Sequence, residues 1–395
     1  MALLTRREAV SGVAALAAAG AAAAAEPVRI GLLLDMTGPL ALTSEDIASG
    51  FALALDAAGR EAGGRPLKIV LEDSAGNPAR AAERFAKLVQ GEGVDIVVGP
   101  TGSPEALVLR DLAHAQGVPL VIPNAGATAL TGEKCSPFVL RVSYSHEQVV
   151  APLATWMVRN GIARSAYLLA AEGIAGRDHA VAFRKAFAAA GGTVAGEEFV
   201  PATAQDFAPY LAKVRLRPTD AIFASFFGLA AERFLDGIDV FGLRSARLCG
   251  PGWLVSTLDM ARIGARAAGI IGATAYLPEL DLDANRDFVA AFARRHGRPP
   301  SEFAAQGFDA ARLLLAGLEA LEGNVANRRA TAAILARTGF EGARGRLALD
   351  PRTNNVVQDI HIFETRRRQG GEGIGFEILA RIPDVRAEPE ACQMG

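Results

Sequence analysis

The sequence predicts an α/β protein with two doubly wound lobes, each a parallel β-sheet covered by helices. Short apolar runs alternate with segments whose apolar residues recur at helical spacing. The alternation starts afresh after about residue 145, and a chain of 395 residues is long enough for two domains. Strands that alternate with helices through short turns form parallel sheets with helices on both faces.

The first unit begins with the apolar run Val28–Leu34, which we interpret as a buried strand ended by Thr37-Gly38-Pro39. Three further strands are predicted in PLKIVLED, VDIVV and VPLVI. The helices between them are predicted in SEDIASGFALALDAAGR, in PARAAERFAKLVQGEG and in the segment that opens at Ser103.

The second unit shows the same alternation of strands and helices, without a detectable sequence repeat. Helices are predicted in VAPLATWMVRNG, GRDHAVAFRKAFAAAGG and LAAERFLDGIDVFG, and strands in SAYLLAAEG, TVAGEEFV, TDAIFASFFG and SARLCGPGW. After about Gly272 come two more helices, DANRDFVAAFARRHG and AAQGFDAARLLLAGLEALEG, followed by late strands around a turn. We place the join between the units near Arg141 to Ser145.

The N-terminal residues 1–25 have the layout of a secretory signal. The pair Arg6-Arg7 precedes an apolar stretch of small residues, and adjacent arginines indicate the twin-arginine export route. A membrane anchor is disfavoured because the stretch is poor in Leu, Ile and Phe, and a lipid anchor because no cysteine precedes Cys135. We therefore expect an exported, soluble mature protein in the periplasm.

Charge and cysteine content narrow the function classes further. The net charge of −2, with scattered arginines, gives no reason to expect nucleic-acid binding. Three cysteines, Cys135, Cys249 and Cys392, cannot all pair internally, and their spacing fits neither a zinc site nor a redox motif. In an exported protein we expect one disulfide and one buried thiol, and the sequence leaves the pairing open.

Two turns at the predicted sheet edge point to a binding site. In GPTGSPEALVL, Ser103 suits a helix N-cap, Pro104 the first helical position, and Glu105 complements the positive helix end. With Thr101, these groups predict a cradle for a carboxylate or another small anion. The next turn, IPNAGATAL, adds Asn124, Thr128 and the amides of residues 125–127 at the same edge.

Catalytic and nucleotide-binding motifs are missing from the sequence. There is no GxGxxG after the first strand, no GxxxxGK[ST] and no GxSxG. The five histidines show no ligand-like pairing, and we interpret His146 beside Glu147 as a surface pair at a helix start. These observations disfavour an enzyme and predict no cofactor and no metal.

The series of motifs resembles the solute-binding proteins of branched-chain amino acid ABC importers. It runs from VRIGLLLDMTGPLA through DIVVGPTGS, GVPLVIPNAGATALT and SPFVLRVSYS to DAIFASFFG and GFDAARLL, over nearly the whole mature chain. The resemblance implies a type I periplasmic binding fold, with two lobes joined by a three-segment hinge and a ligand cleft between them.

The resemblance also implies the limits of the lobes. Crossings are expected near Arg141–Ser145, Gly272–Tyr276 and Leu347–Thr353. The N-terminal lobe would then hold residues 26–142 and 276–348, and the C-terminal lobe residues 143–275 and 349–395.

Motifs and resemblance together nominate residues for the ligand site. Those of the first lobe are Thr101, Gly102, Ser103, Asn124, Ala125, Gly126, Ala127 and Thr128. Those of the second lobe and hinge are Tyr144, Ile174, Ala175, Phe226, Phe227, Gly252, Trp253 and Tyr276. For Trp253 the sequence leaves two positions open, in the cleft or in the core.

Two departures from the family pattern bear on the ligand. Ala175 stands where members often have an aromatic residue, and Gly252 stands where binders of amino acids commonly have an acid. An ammonium group would need another partner, for which Glu172 and Asp178 are the candidates. We therefore favour a hydrophobic or aromatic carboxylic acid over a branched-chain amino acid.

The sequence thus predicts a non-catalytic periplasmic receptor, monomeric, that delivers a small solute to the membrane permease of an ABC importer. A ligand-presenting sensor subunit and an exported α/β enzyme are the alternatives.

Overall fold

The computed structural model describes residues 25–201, 203–368, 373–389 and 391–394. The predicted export signal, residues 1–25, lies outside these ranges except for its last residue. Within them, no helix combines the length and the apolar character needed to cross a membrane.

The first lobe is built on a parallel sheet with helices on both faces. Its strands are β1 (Val28–Leu34), β2 (Glu61–Ala62), β3 (Arg65–Asp73), β4 (Ile96–Val98), β5 (Leu120–Ile122) and β6 (Val139–Arg141). Its first helices are α1 (Ala41–Ala57), α2 (Pro78–Ala86), continued by a π-helical turn at Lys87–Gly91, and α3 (Ser103–Gln116). The strand order is β2-β3-β1-β4-β5-β6, parallel except for the short β2.

The second lobe repeats this arrangement. Its strands are β7 (Ser165–Ala171), β8 (Thr193–Val200), β9 (Ala221–Ser225), β10 (Arg247–Pro251) and β11 (Ile271–Thr274). Its helices are α4 (His146–Arg159), α5 (Ile174–Ala189), α6 (Ala208–Arg215), α7 (Leu229–Val240) and α8 (Met260–Ile263), with 3₁₀ turns at Gly252–Val255 and Gly264–Ala267. The strands are parallel in the order β8-β7-β9-β10-β11.

After β11 the chain returns to the first lobe. This segment holds α9 (Asp283–His296), α10 (Glu302–Ala320), α11 (Arg328–Arg337) and the antiparallel strands β12 (Phe340–Gly342) and β13 (Gly345–Asp350). The backbones of α10 and α1 are in close contact. A Cβ on Gly50 would overlap the Ala304 carbonyl, and a Cβ on Gly307 would overlap the Ile47 carbonyl. Only glycine permits this backbone approach.

The last strands join the two sheets. Strand β14 (Asn355–Arg367) pairs at its start antiparallel with β13 and parallel with β6, and further on antiparallel with β11. Strand β15 (Ile374–Val385) then pairs antiparallel with β14. The chain passes between the sheets within β14, a few residues after the predicted crossing at Leu347–Thr353.

The predicted two-lobed α/β class is confirmed, and the cysteine pairing is now defined. Cys135 and Cys392 form a disulfide, while Cys249 is free and buried. The bond ties the C-terminal segment, which follows the second-lobe strands, to the first lobe. Strand β6 was not predicted, and only its last residue, Arg141, belongs to the expected join between the units.

Candidate functional site

A cavity of about 350 Å³ lies between the two lobes. On the first lobe it opens at the carboxyl ends of β1 and β4, and on the second lobe at those of β7 and β9. These are the points where each strand order reverses, and ligands of open parallel sheets bind at such points. Of the nominated residues, those that line this cavity are Thr101, Gly102, Ser103, Asn124, Ala125, Gly126, Tyr144, Ile174, Ala175, Phe227 and Trp253.

The N-terminus of α3 forms the polar wall of the first lobe. Gly102 is the N-cap residue and provides no side-chain cap. Pro104 has no N–H, the amide of Ala106 donates to the Gly102 carbonyl, and the Glu105 carboxylate accepts from its own amide, so the first turn leaves the Ser103 amide for another acceptor. The hydroxyl of Thr101 is bonded to Ser44 Oγ at 2.7 Å, whereas Ser103 lines the cavity at 9% exposure. Ser103 is therefore the better candidate for a ligand contact.

Two buried polar atoms on this wall have no partner within the described residues. Asn124 donates through Nδ2 to the Thr101 carbonyl at 2.7 Å, but its Oδ1 is unpaired. The hydroxyl of Thr43, which the sequence analysis did not single out, is also unpaired. Both residues line the cavity, and unpaired buried polar atoms next to a cavity indicate that a ligand or water completes their hydrogen bonding.

Aromatic side chains form the opposite wall. Trp253 stacks on Tyr144 with ring centroids 5.1 Å apart and an interplanar angle of 23°. Phe227 contacts Phe303 of α10 edge to face at 5.9 Å, so the first lobe also contributes an aromatic ring. Trp253 lines the cavity and also packs against hydrophobic clusters of both lobes, so both interpretations of this residue apply.

Two histidines add a neutral polar edge to the aromatic wall. Nδ1 of His146 lies 2.8 Å from Oδ2 of Asp178, and Nδ1 of His179 lies 2.8 Å from Oγ of Ser225. Burial lowers the pKa of both imidazoles, so both are neutral near pH 7. The interpretation of His146 as a surface residue is wrong: it is 3% exposed and lines the cavity.

Comparison with known proteins gives the family. The model of the family described as periplasmic binding protein matches residues 27–372. The chain belongs to the periplasmic binding protein family. A curated relative is Leu/Ile/Val-binding protein homolog 6 of Brucella abortus, 26% identical over 381 residues, which are 94% of this chain and 96% of the relative.

Solved structures agree with this membership. An ABC transporter substrate-binding protein from Sphaerobacter thermophilus is 33% identical, with a TM-score of 0.87 over 91% of this chain and 99% of its own. A solute-binding protein of an ABC transporter from R. palustris, solved in complex with benzoate, is 31% identical, with a TM-score of 0.85 over 93% and 100%. This periplasmic binding protein is thus a solute receptor of an ABC transporter, not an enzyme, and the family implies export to the periplasm.

Arg141 is a buried support of the site that the sequence analysis missed. It ends β6 and donates from Nη1 to the Ala127 carbonyl at 2.8 Å, from Nη2 to Thr131 Oγ1 at 3.1 Å and from Nε to Asn355 Oδ1 at 2.6 Å. Burial lowers its pKa to about 10, which still leaves the guanidinium charged. An arginine inside the apolar strand FVLRV was the available signal.

Ala127 and Thr128, nominated for the first-lobe cradle, do not line the cavity of this binding protein. The Ala127 carbonyl is turned towards Arg141, as described above. The amide of Thr128 donates instead to Oδ2 of Asp178 at 2.9 Å, in a bond between the two lobes. The turn bends away from the cavity after Gly126 because these two partners hold its backbone.

Phe226 also lies outside the cavity. It is 2% exposed and packs in the second-lobe core against Phe207 and Phe234, at 5.1 and 5.3 Å between ring centroids. Successive side chains at the end of a strand point to opposite faces, so Phe227 faces the cavity and Phe226 the core.

Gly252 and Tyr276 lie beside the hinge and not in the cavity. A Cβ on Gly252 would lie 2.8 Å from Cβ of Thr274, so this site has no room for a side chain. Tyr276 is 3% exposed and packs edge to face on Phe288. The lack of an acid at position 252 therefore follows from local packing.

Proposed function

We propose that this periplasmic binding protein captures a small aromatic carboxylic acid, of the size of benzoate, for an ABC importer. The observation that carries the proposal is the composition of the cavity wall. It joins stacked aromatic rings on one side to the free Ser103 amide, the Ser103 hydroxyl and the unpaired Thr43 hydroxyl on the other. A cavity of about 350 Å³ is at the small end of ligand sites, which suits one ring with a carboxylate.

The electrostatics of the helices favour an anion. The N-terminal turns of α1, α3 and α5 all contribute lining residues, and the N-cap residues Leu40, Gly102 and Gly173 provide no side-chain cap. Each helix N-terminus carries partial positive charge and unpaired amides. The guanidinium of Arg141, behind the turn of residues 125–127, adds a full positive charge.

An ammonium group finds no free acid among the candidates from sequence. Glu172 is paired with Arg177, with Oε1 2.6 Å from Nη2. Asp178 accepts from His146 and from the Thr128 amide. Burying an ammonium without a counter-charge is costly. The other acid that lines the cavity, Glu105, lies on the α3 N-terminus, which we assign to the ligand carboxylate and not to an amine. We therefore rank branched-chain amino acids below aromatic acids as the solute. The benzoate complex of the 31% identical R. palustris protein supports this ranking.

We further propose that the nominated residues which line the cavity make the ligand contacts, with Ser103 at the carboxylate and Phe227 and Trp253 at the ring. We also propose that the lobes have the limits expected from the sequence, residues 26–142 with 276–348 and residues 143–275 with 349–395. We propose in addition that the protein functions as a monomer.

A ligand screen tests the proposal. Thermal shift followed by isothermal titration should show binding of benzoate and 4-hydroxybenzoate, and weak or no binding of leucine and phenylalanine. Ser103→Ala should weaken benzoate binding about 10- to 150-fold, because a hydrogen bond to a charged acceptor contributes about 1.5–3 kcal/mol.

Ser245→Ala is the matched control, since Ser245 lies in an exposed turn of the second lobe. Tight leucine binding without any response to benzoate would refute the proposed solute class. Equal benzoate affinity in Ser103→Ala and the control would refute the assignment of the carboxylate to α3.

A further inference from the structure

Glu105 places a carboxylate on the helix end that is proposed to receive the ligand. It is the third residue of α3, it is 2% exposed, and it lines the cavity. A Cβ on Gly102, the N-cap residue, would be in hard contact with Oε2 of Glu105. The side chain therefore folds back over the helix N-terminus instead of reaching into solvent.

A second carboxylate lies directly behind it. The same hypothetical Cβ on Gly102 would be 3.4 Å from Oδ2 of Asp35, so the two carboxylates lie next to the same point. Oδ1 of Asp35 accepts from Ser74 Oγ at 2.6 Å, but its buried Oδ2 has no partner within the described residues. Asp35 and Glu105 form a buried carboxyl pair.

The surroundings of this pair offer little positive charge. The residues that line the cavity within the described ranges include no lysine and no arginine. The charged groups that act on the pair or line the cavity with it come from several elements. They are Asp73 at the end of β3 with its partner Arg80 of α2, Glu172 before α5 with its partner Arg177 of α5, His146 of α4 and His179 of α5. Arg141 of β6 lies behind the turn of residues 125–127, where it is bonded to the Ala127 carbonyl. Arg80 and Arg177 are already paired with their own carboxylates, and both histidines are neutral.

We infer that binding of the aromatic carboxylate is coupled to uptake of one proton by Glu105, so that the protonated side chain donates a hydrogen bond to the ligand. The inference rests on the proposed function. A ligand carboxylate at the α3 N-terminus adds a third negative charge to two buried ones, and like charges at such distances disfavour ionisation. A proton on Glu105 removes one charge and supplies an O–H donor to the ligand anion, which makes a strong hydrogen bond.

The resting state of Glu105 agrees with this role. Burial, and then the charge of Asp35, raise its pKa to about 6, so it is mostly ionised at pH 7 and needs only a modest further change to take up the proton. Bound anion raises the pKa again, hence the protonated form is favoured by binding. Affinity should therefore be constant below about pH 6 and should fall above it, by at most tenfold per pH unit for one proton.

A ligand with an ammonium group at the same place predicts the opposite sign. The cation would lower the pKa of Glu105, binding would release the residual proton, and affinity would fall on acidification. The direction of proton transfer therefore distinguishes the two ligand classes.

Isothermal titration of benzoate in two buffers of different ionisation enthalpy, near pH 7, measures the protons exchanged. The wild-type protein should take up between about half a proton and one. Glu105→Gln should exchange none, and its affinity should stay level between about pH 6 and pH 8, because the amide donates without titrating. Asp35→Asn is the second variant: it removes the neighbouring charge and should move the fall in affinity to lower pH.

Glu302→Gln is the matched control, since Glu302 is another buried acid, of pKa about 7, but lies outside this cavity. It should keep the proton uptake. Uptake that disappears in Glu302→Gln and persists in Glu105→Gln would overturn the inference, as would benzoate binding with no proton exchange in the wild type. Absence of benzoate binding altogether would contradict the proposed function instead.

Discussion

Replacement of Glu302 by glutamine should make the protein more stable at alkaline pH. Glu302 begins α10 and is 8% exposed; its Oε2 lies 3.3 Å from Thr257 Oγ1 of the second lobe, and its Oε1 has no partner within the described residues. Burial raises its pKa from the usual 4.5 to about 7. The folded state therefore holds a proton that the unfolded chain releases between these two values.

The sign and size of the effect follow from this difference. Because the folded state binds more protons between pH 4.5 and 7, stability falls as pH rises through that window and levels off above it. At 1.36 kcal/mol per pH unit, the wild type loses about 3 kcal/mol relative to a variant that cannot ionise. Glu302→Gln should thus be close to wild type near pH 5 and about 2–3 kcal/mol more stable near pH 8.

Denaturant unfolding near pH 5 and near pH 8, monitored by circular dichroism, measures the difference in the free energy of unfolding. Glu133→Gln, at an exposed position of the first lobe, is the control and should follow the wild type at both. Parallel pH profiles for wild type and Glu302→Gln would refute the reasoning that burial controls this carboxyl.

Three further predictions concern the thiol of Cys249, the cavity wall at Gly126 and closure of the cleft between the lobes. The buried thiol of Cys249 should resist a thiol reagent in the folded protein and react as one thiol per chain after unfolding without reductant; any reaction before unfolding would contradict its burial. Gly126→Ala should abolish benzoate binding and lower the melting temperature, because its Cβ would lie 2.5 Å from Cδ2 of His146 and 2.6 Å from Cε2 of Tyr144; unchanged binding would show that these rings can move. Benzoate should reduce the radius of gyration in small-angle scattering, as expected for cleft closure, and identical profiles would argue against a hinge motion.

The fold was largely predictable because its signals are local. The apolar run Val28–Leu34 is β1 with the same limits, and each later alternation of apolar run and periodic segment corresponds to a strand and a helix. Strand β6 was missed because it lies directly before the join of the two units, where the alternation of strands and helices breaks off, and its place is fixed by pairing with β5 and β14. The predicted cysteine state, one disulfide and one buried thiol, is found, but the pairing needed the three-dimensional contacts.

Site residues in the turns between strands and helices could be predicted from the sequence. Site residues placed by contacts between the two lobes could not. The turn through Ser103 and the turn from Asn124 to Gly126 line the cavity, as the strand-to-helix pattern predicted. The burial of His146 was missed because it depends on Asp178 and on Gly126, which are remote in sequence. Glu105 was recognised only as a complement to the helix end, since its neighbour Asp35 comes from a different strand end.

The central claim, that the carboxylate of an aromatic acid binds at the N-terminus of α3, is tested most directly by a crystal structure of the benzoate complex. We expect the carboxylate within hydrogen-bond distance of Ser103 Oγ and Glu105, with the ring between Phe227 and Trp253. A carboxylate bound instead at His146 and His179, with the ring against α3, would contradict it.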